Sequence, residues 1–242
     1  MEKELKIKAK DGKYIYGRLR GSLKNPLVIF VHGLTGHMDE HSFFNGARFF
    51  EKKGFSVLQW NQYDWHKDAR KLHEVTLKKQ AEDMDFMVEY FRKKGAKKIF
   101  VIGHSYGGAT ILFSKNQDFD AAVLWDSSDR PRKLMSEDLK FIKKANIYTI
   151  SWGTAIILGK QMVEEAKKLP DLFGKMTQFR KPVKIIVAEK GDLVKGGKKY
   201  YEVAKMDKDF AIIKNATHLF GEDGTEEKLF SETLKWIKKF NK

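Results

Sequence analysis

Hydrophobic and polar positions alternate along this chain in two rhythms. Leu5 to Lys10 and Tyr14 to Arg20 switch between apolar and polar residues with period two around Asp11-Gly12, a turn signal that predicts an antiparallel hairpin. From Leu27 the rhythm changes. Leu27-Val28-Ile29-Phe30-Val31 is continuously apolar, as expected of a strand covered on both faces, and it ends in the loop His32-Gly33-Leu34-Thr35-Gly36. Short apolar runs then alternate with amphipathic stretches. A helix is expected from Phe43 to Lys53 closing at Gly54, a strand from Phe55 to Trp60, and a long helix from Leu77 to Lys94 with Thr76 as N-cap and Gly95 as stop. Lys98 to Ile102, Ala121 to Trp125, Val183 to Ala188 and Phe210 to Ile213 read as further strands. Helices are expected over Tyr106 to Lys115 and from about Glu226 to Phe240. Strands separated by helices pair in parallel, so the pattern predicts an α/β fold with a mostly parallel central sheet flanked by helices.

One interval breaks the rhythm. Between Trp125 and Pro182 no clean strand and helix pair follows, and Ser127 to Lys181 reads as an insertion over one end of the sheet. The expected organisation is a core of residues 1–126 and 182–242 with an inserted cap over 127–181.

Composition narrows the classes of partner. The chain has 242 residues, no Cys and 47 basic residues, of which 39 are Lys and 8 Arg, for a net charge of +15. The lysines are spread along the whole sequence and Arg, which forks onto phosphates and bases, is scarce, so a solvated surface is expected and no nucleic-acid partner. The N-terminal residues lack the apolar core of a secretory signal, no run reaches the roughly 18 apolar residues of a membrane span, and disulfides are impossible. These features predict a cytoplasmic protein with no membrane span.

The candidate chemistry lies in Gly103-His104-Ser105-Tyr106-Gly107. A sharp strand-to-helix turn holds its serine in strained geometry and leaves no room for neighbouring Cβ atoms, which is why the pattern needs two glycines. The motif follows one expected strand and opens the next helix, the setting that exposes a nucleophilic Oγ. A serine nucleophile needs a base to take its proton and an acid to orient that base. His218 is the only His after Ser105 and follows the last expected strand. Asp192, preceded by Gly191 in a strand-to-helix turn, is the favoured acid; Glu189 on the same loop and Asp126 after the preceding strand are the alternatives, with Asp129 close by. The backbone N–H groups of Leu34 and Tyr106 are expected to form the oxyanion hole.

With Val31-His32-Gly33-Leu34-Thr35-Gly36-His37, Gly103-His104-Ser105-Tyr106-Gly107-Gly108, Asp192 and His218, the chain resembles α/β-hydrolase esterases, in particular cinnamoyl or feruloyl esterase-like and monoacylglycerol lipase-like members. The resemblance spans nearly the whole length. It implies hydrolysis of a small-molecule carboxylic ester through an acyl-enzyme, no cofactor and no metal, and a cap after the strand ending near Trp125 that helps shape the substrate pocket. Two stretches depart from it. Asn61-Gln62-Tyr63-Asp64-Trp65-His66 stands where many relatives carry a Gly-His-Gly-x-Ser-like loop, and the loop Gly191 to Gly196 lacks the proline that often follows the acid. Gly33, Trp65, Tyr148 and Trp152 are candidates to line the pocket, the aromatic rings by stacking on a flat substrate.

Other readings use some of the same residues. A thioesterase, amidase, peptidase or acyltransferase would employ the same triad, and a hydrolase fold can persist as a binding protein. His37-Met38-Asp39-Glu40-His41 matches a zinc-peptidase pattern, which requires both histidines on one helix face.

Overall fold

In the computed structural model, residues 2–134, 139–151 and 154–241 are described. The period-two segments form β1 (Glu2–Lys8) and β2 (Tyr14–Arg20), paired antiparallel with Lys8 opposite Tyr14. The apolar runs form β3 (Leu27–Val31), β4 (Ser56–Trp60), β5 (Ile99–His104), β6 (Ala121–Trp125), β10 (Val183–Ala188) and β11 (Lys208–Ile213). Among the described residues they make one eight-stranded sheet in the order β1-β2-β4-β3-β5-β6-β10-β11, parallel from β4 onward.

The continuous apolar runs follow from two-sided burial. Ile29 and Val31 on β3 face one core, while Val28 and Phe30 face the other. The first core is covered by α2 (Leu77–Lys93) and α3 (Tyr106–Leu112), together with Tyr200 of α7 (Val194–Val203). The second is covered by α1 (His41–Lys52) and α8 (Thr225–Lys239). Thr76 caps α2 as expected, its Oγ1 accepting the Lys79 N–H at 3.2 Å.

Between β6 and β10 the chain forms α4 (Pro131–Leu134), a separate antiparallel sheet of β7 (Lys140–Ile142), β8 (Ile147–Ser151) and β9 (Ala155–Gly159), then α5 (Lys160–Lys168) and α6 (Phe173–Thr177). This interval broke the βα rhythm because its strands pair locally as hairpins. Asn146 turns β7 into β8 in the left-handed conformation, φ 54°. The insertion shares the core of the main sheet: Ile150, Leu158, Met162, Val163 and Ala166 pack in the same cluster as Tyr106 and Leu124.

Candidate active site

The strand β5 ends at His104 and α3 begins at Tyr106, so Ser105 alone makes the turn, with φ 54° and ψ −118°. A non-glycine residue at positive φ in this region is strained and is held there by its surroundings. Close packing explains the glycines on either side. A Cβ on Gly103 would lie 2.6 Å from the Gly107 carbonyl carbon, and one on Gly107 would overlap the Val31 carbonyl. Ser105 N–H donates to Trp125 O at 2.9 Å and its carbonyl accepts from Ser128 N at 3.1 Å, which fixes the turn against β6.

His218 follows β11 on a short loop, and its side chain is half exposed. Its Nδ1 lies 2.6 Å from Oδ2 of Asp126, at the end of β6. Asp126 is 0% exposed, and its Oδ1 accepts the Ala188 N–H at 3.1 Å. The structure thus sets His218 against Asp126, not against the favoured Asp192, whose side chain is exposed. The physical reason lies in Gly191. The Gly191 N–H closes a tight turn onto Ala188 O at 3.0 Å, and a Cβ at this residue would sit 3.0 Å from Asp126 Oδ2. Gly191 therefore makes room for the Asp126 carboxylate, and the chain then carries Asp192 outward. Glu189 is also engaged elsewhere, accepting the Asn215 N–H at 2.9 Å.

His104, the second residue of the motif, is buried, and its Nε2 lies 2.8 Å from the His218 carbonyl. Its ring stands 4.7 Å from the His218 ring. Burial, with a smaller contribution from the nearby charge of His218, lowers its pKa to about 3, so it is neutral and can donate from Nε2 to that carbonyl. It anchors the loop that carries His218.

The glycine loop after β3 approaches Ser105 closely. A Cβ on Gly33 would meet the Ser105 Cβ at 3.2 Å. Among the described residues, neither the Leu34 N–H nor the Tyr106 N–H has a protein acceptor, so both remain available to a ligand. The unusual stretch after β4 holds this loop in place. Gln62 N–H donates to His32 Nε2 at 3.0 Å, and the Gln62 side-chain amide donates to His32 O at 2.7 Å. With Nε2 accepting, His32 Nδ1 donates to Gly33 O at 2.9 Å. Tyr63 donates to the same carbonyl at 3.3 Å, and Asn61 Oδ1 accepts Met38 N–H at 2.7 Å. Burial lowers the His32 pKa to about 4. Asn61, Gln62 and Tyr63 thus act as braces for the glycine loop after β3, a role that a glycine-rich loop could not perform with side chains.

The pocket candidates separate. Gly33 lies against Ser105. Trp65 is 95% exposed, and Tyr148 packs against Phe141 with ring centroids 4.9 Å apart. Trp152 lies outside the described residues. The segment from His37 to His41 does not form a helix: α1 starts at His41, which pairs with Glu226 at 3.1 Å, so the two histidines share no helix face. Among the described residues no group of three or more His, Cys, Asp or Glu is placed to hold a metal, and no helix is long and apolar enough to cross a membrane.

Sheet order, the turn at Ser105 and the loops that converge on it define an α/β-hydrolase fold. The sequence profile of the alpha/beta hydrolase fold family matches residues 26–144. The chain superposes on Est1E from Butyrivibrio proteoclasticus, solved with ferulic acid bound, with a TM-score of 0.82 and 18% identity over 98% of both chains. It also superposes on the Pyrococcus furiosus esterase Pf2001, with a TM-score of 0.75 and 19% identity over 100% of this chain and 93% of that one. A Haemophilus influenzae protein with the provisional name esterase/lipase is 31% identical over 111 residues, 45% of this chain and 36% of that protein.

Proposed function

We propose that the chain is a serine hydrolase that cleaves carboxylic esters through an acyl-enzyme, with Ser105 as nucleophile, His218 as base and Asp126 as the acid that orients it. The observation that carries this reading is the pairing of a strained Ser105 turn with a His218 whose Nδ1 is held at 2.6 Å by a fully buried carboxylate. Asp126 fixes the Nδ1–H tautomer and leaves Nε2 free to accept a proton.

In the first step Oγ of Ser105 attacks the ester carbonyl while His218 Nε2 takes the hydroxyl proton. The negative charge moves to the carbonyl oxygen, where the N–H groups of Leu34 and Tyr106 stabilise it. Collapse breaks the C–O bond to the alcohol, which leaves with the proton from His218. Water then attacks the acyl-serine, again losing its proton to His218, and collapse restores the Ser105 hydroxyl and frees the acid. Asp126 stabilises the imidazolium in both halves. The insertion between β6 and β10 caps this site from the side of Tyr106. Glu165 on α5 is near enough to that residue's hydroxyl to help burial raise its pKa.

The test is covalent labelling with a fluorophosphonate, followed by turnover of p-nitrophenyl esters of increasing chain length beside a feruloyl ester and a thioester. Ser105 is the expected labelled residue, and Ser105→Ala is expected to lose both label and turnover while melting like the parent. Full turnover in that variant, or no label in folded protein, refutes the reading.

A further inference from the structure

The main sheet ends in two open edges, β1 and β11. In the first hairpin the Ala9 N–H donates to Lys13 O at 2.8 Å, and the register continues with Ile7 opposite Ile15, Leu5 opposite Gly17 and Lys3 opposite Leu19. These odd-numbered residues direct their backbone groups at β2. Hydrogen-bonding direction alternates along a strand, so the N–H and C=O of Glu2, Glu4, Lys6 and Lys8 point away from the sheet. Among the described residues nothing in the chain pairs with them. Such an edge is a template for another strand, and charge along it ordinarily blocks the pairing.

On β1 the charges have a self-complementary order. Glu2-Lys3-Glu4-Leu5-Lys6-Ile7-Lys8 carries carboxylates at the start and ammonium groups at the end of one face. Two copies related by a two-fold axis at Leu5 set Glu4 opposite Lys6 and Glu2 opposite Lys8. These four are also the residues with free backbone groups, so one register satisfies both the ladder and the charges. A shift of two residues either way brings Glu4 opposite Glu4 or Lys6 opposite Lys6, which is destabilising. Within the chain Arg18 already pairs with Glu4 at 2.8 Å and Arg20 with Glu2, so in the two-fold pairing each carboxylate lies between an arginine of its own β2 and a lysine of the other copy. The edge at β11 fails the same test. Val183 and Glu189 N–H groups donate to Asp207 O and Ile213 O, which leaves Lys208, Phe210 and Ile212 outward, but the Phe210 N–H is taken by its own Asp209 side chain at 2.9 Å. Lys208 and Asp209, being adjacent, lie on opposite faces, so no two-fold register pairs them.

We propose that β1 is a dimerisation edge on which a second copy of this chain pairs antiparallel about a two-fold axis at Leu5, joining the two eight-stranded sheets into one. The partner is a copy of the chain because the complement that β1 calls for, lysines opposite its glutamates in reversed order, is β1 itself. The interface is isologous and closes on two copies. In the sheet order β1 stands four strands from β5, about 19 Å at the usual spacing, so both Ser105 turns stay open and the inference does not depend on the ester-hydrolase reading. The net charge of +15 on each copy opposes association in dilute salt, and its reach shrinks to about 10 Å at 0.1 M ionic strength.

The experiment is sedimentation velocity on the full chain over a range of micromolar concentrations at about 0.15 M salt, with thermal melts to verify folding. Wild type is expected to pass from one chain mass to two as concentration rises. Lys6→Glu/Lys8→Glu makes the paired positions wholly acidic and Glu2→Lys/Glu4→Lys makes them wholly basic; each variant alone is expected to dissociate at least about tenfold more readily. An equal mixture of the two is expected to restore the dimer, because each supplies the charge the other lacks. Register has its own readout. Leu5→Cys places the chain's one cysteine at the two-fold axis, where facing Cα atoms of a non-hydrogen-bonded pair lie about 4.5 Å apart, and mild oxidation is expected to link the copies. Lys3→Cys, about 14 Å from its copy in this register, is expected to stay unlinked. Wild type at one chain mass throughout, a dimer unaltered by either charge reversal, or a mixture no heavier than its components overturns the proposal, as does a linked Lys3→Cys beside an unlinked Leu5→Cys.

Discussion

Asp126→Asn is the substitution that separates the two possible acids. In wild type one carboxylate serves two donors, accepting from His218 Nδ1 at 2.6 Å and from the Ala188 N–H at 3.1 Å. An asparagine has one acceptor oxygen. If that oxygen stays with Ala188, the amide NH₂ faces His218 and forces its proton onto Nε2, the tautomer that cannot take the Ser105 proton. In the general serine-triad case this replacement lowers kcat by about 10⁴. At 1.36 kcal/mol per decade that is about 5.4 kcal/mol of lost transition-state stabilisation, most of it absent from substrate binding, so KM should change little. Asp192 is exposed and makes no contact with His218, so Asp192→Asn should stay within about twofold of wild type. The assay is steady-state hydrolysis of p-nitrophenyl butyrate, with thermal melts to verify that each variant is folded. A thousandfold loss in Asp192→Asn together with a loss under tenfold in Asp126→Asn would refute the assignment.

Two further outcomes follow from the buried histidines. His104→Phe removes the donor to the His218 carbonyl and should lower kcat by about 10- to 100-fold at nearly constant KM, as loosening a positioned base does. His104→Gln, whose amide reaches the same carbonyl, should recover most of the loss, and equal losses in both would assign His104 to packing alone. Stability should also depend on pH between 5 and 6. His32 and His104 titrate near 4 and 3 when folded but near 6.5 unfolded, so the unfolded chain binds about two more protons there and acid destabilises. Glu40, near 7 when folded and about 4.5 unfolded, binds its extra proton in the folded state and opposes them. The net is about one proton, so denaturant stability should fall by roughly 1 kcal/mol from pH 6 to 5, and by roughly twice as much in Glu40→Gln. A pH-independent midpoint in both proteins would show that the histidines are not held neutral.

The sequence made the sheet legible because the inner parallel strands are buried on both faces and so read as largely apolar runs, from Leu27-Val28-Ile29-Phe30-Val31 to Val183–Ala188, while β11 at the sheet edge is only partly buried. The turn at Ser105 was legible for a local reason: its glycines are required by neighbours only a few residues away or by the adjacent strand. The strands inside the insertion were not, because β8 and β9 pair locally as a hairpin with partial burial and so show neither a continuous apolar run nor a clean alternation. Trp65 illustrates a different limit. Its aromatic character suggested a lining role, but the side chain projects into solvent while Lys71 Nζ binds the Asp64 and Trp65 carbonyls at 2.9 and 2.8 Å and fixes the loop from beneath.

The carboxylate beside His218 shows why chain order is a weaker guide than strand order. Asp126 and the Gly191 turn follow strands separated by 57 residues of sequence, from Asp126 to Val183, yet β6 and β10 are neighbours with Ile186 opposite Trp125. The ends of adjacent strands converge on the same point, so a carboxylate at either one can reach a histidine on the loop after β11. Which strand supplies it is decided by the room between them. Asp126 adopts φ 40°, a conformation that Asp tolerates better than most residues, and this directs its carboxylate across the end of β10 to the Ala188 N–H. Gly191, which in the sequence marked the turn before Asp192, is the residue whose missing side chain admits the carboxylate from the neighbouring strand. The glycine signal was therefore real, but it marked the space that the Asp126 carboxylate occupies and not the residue that reaches His218.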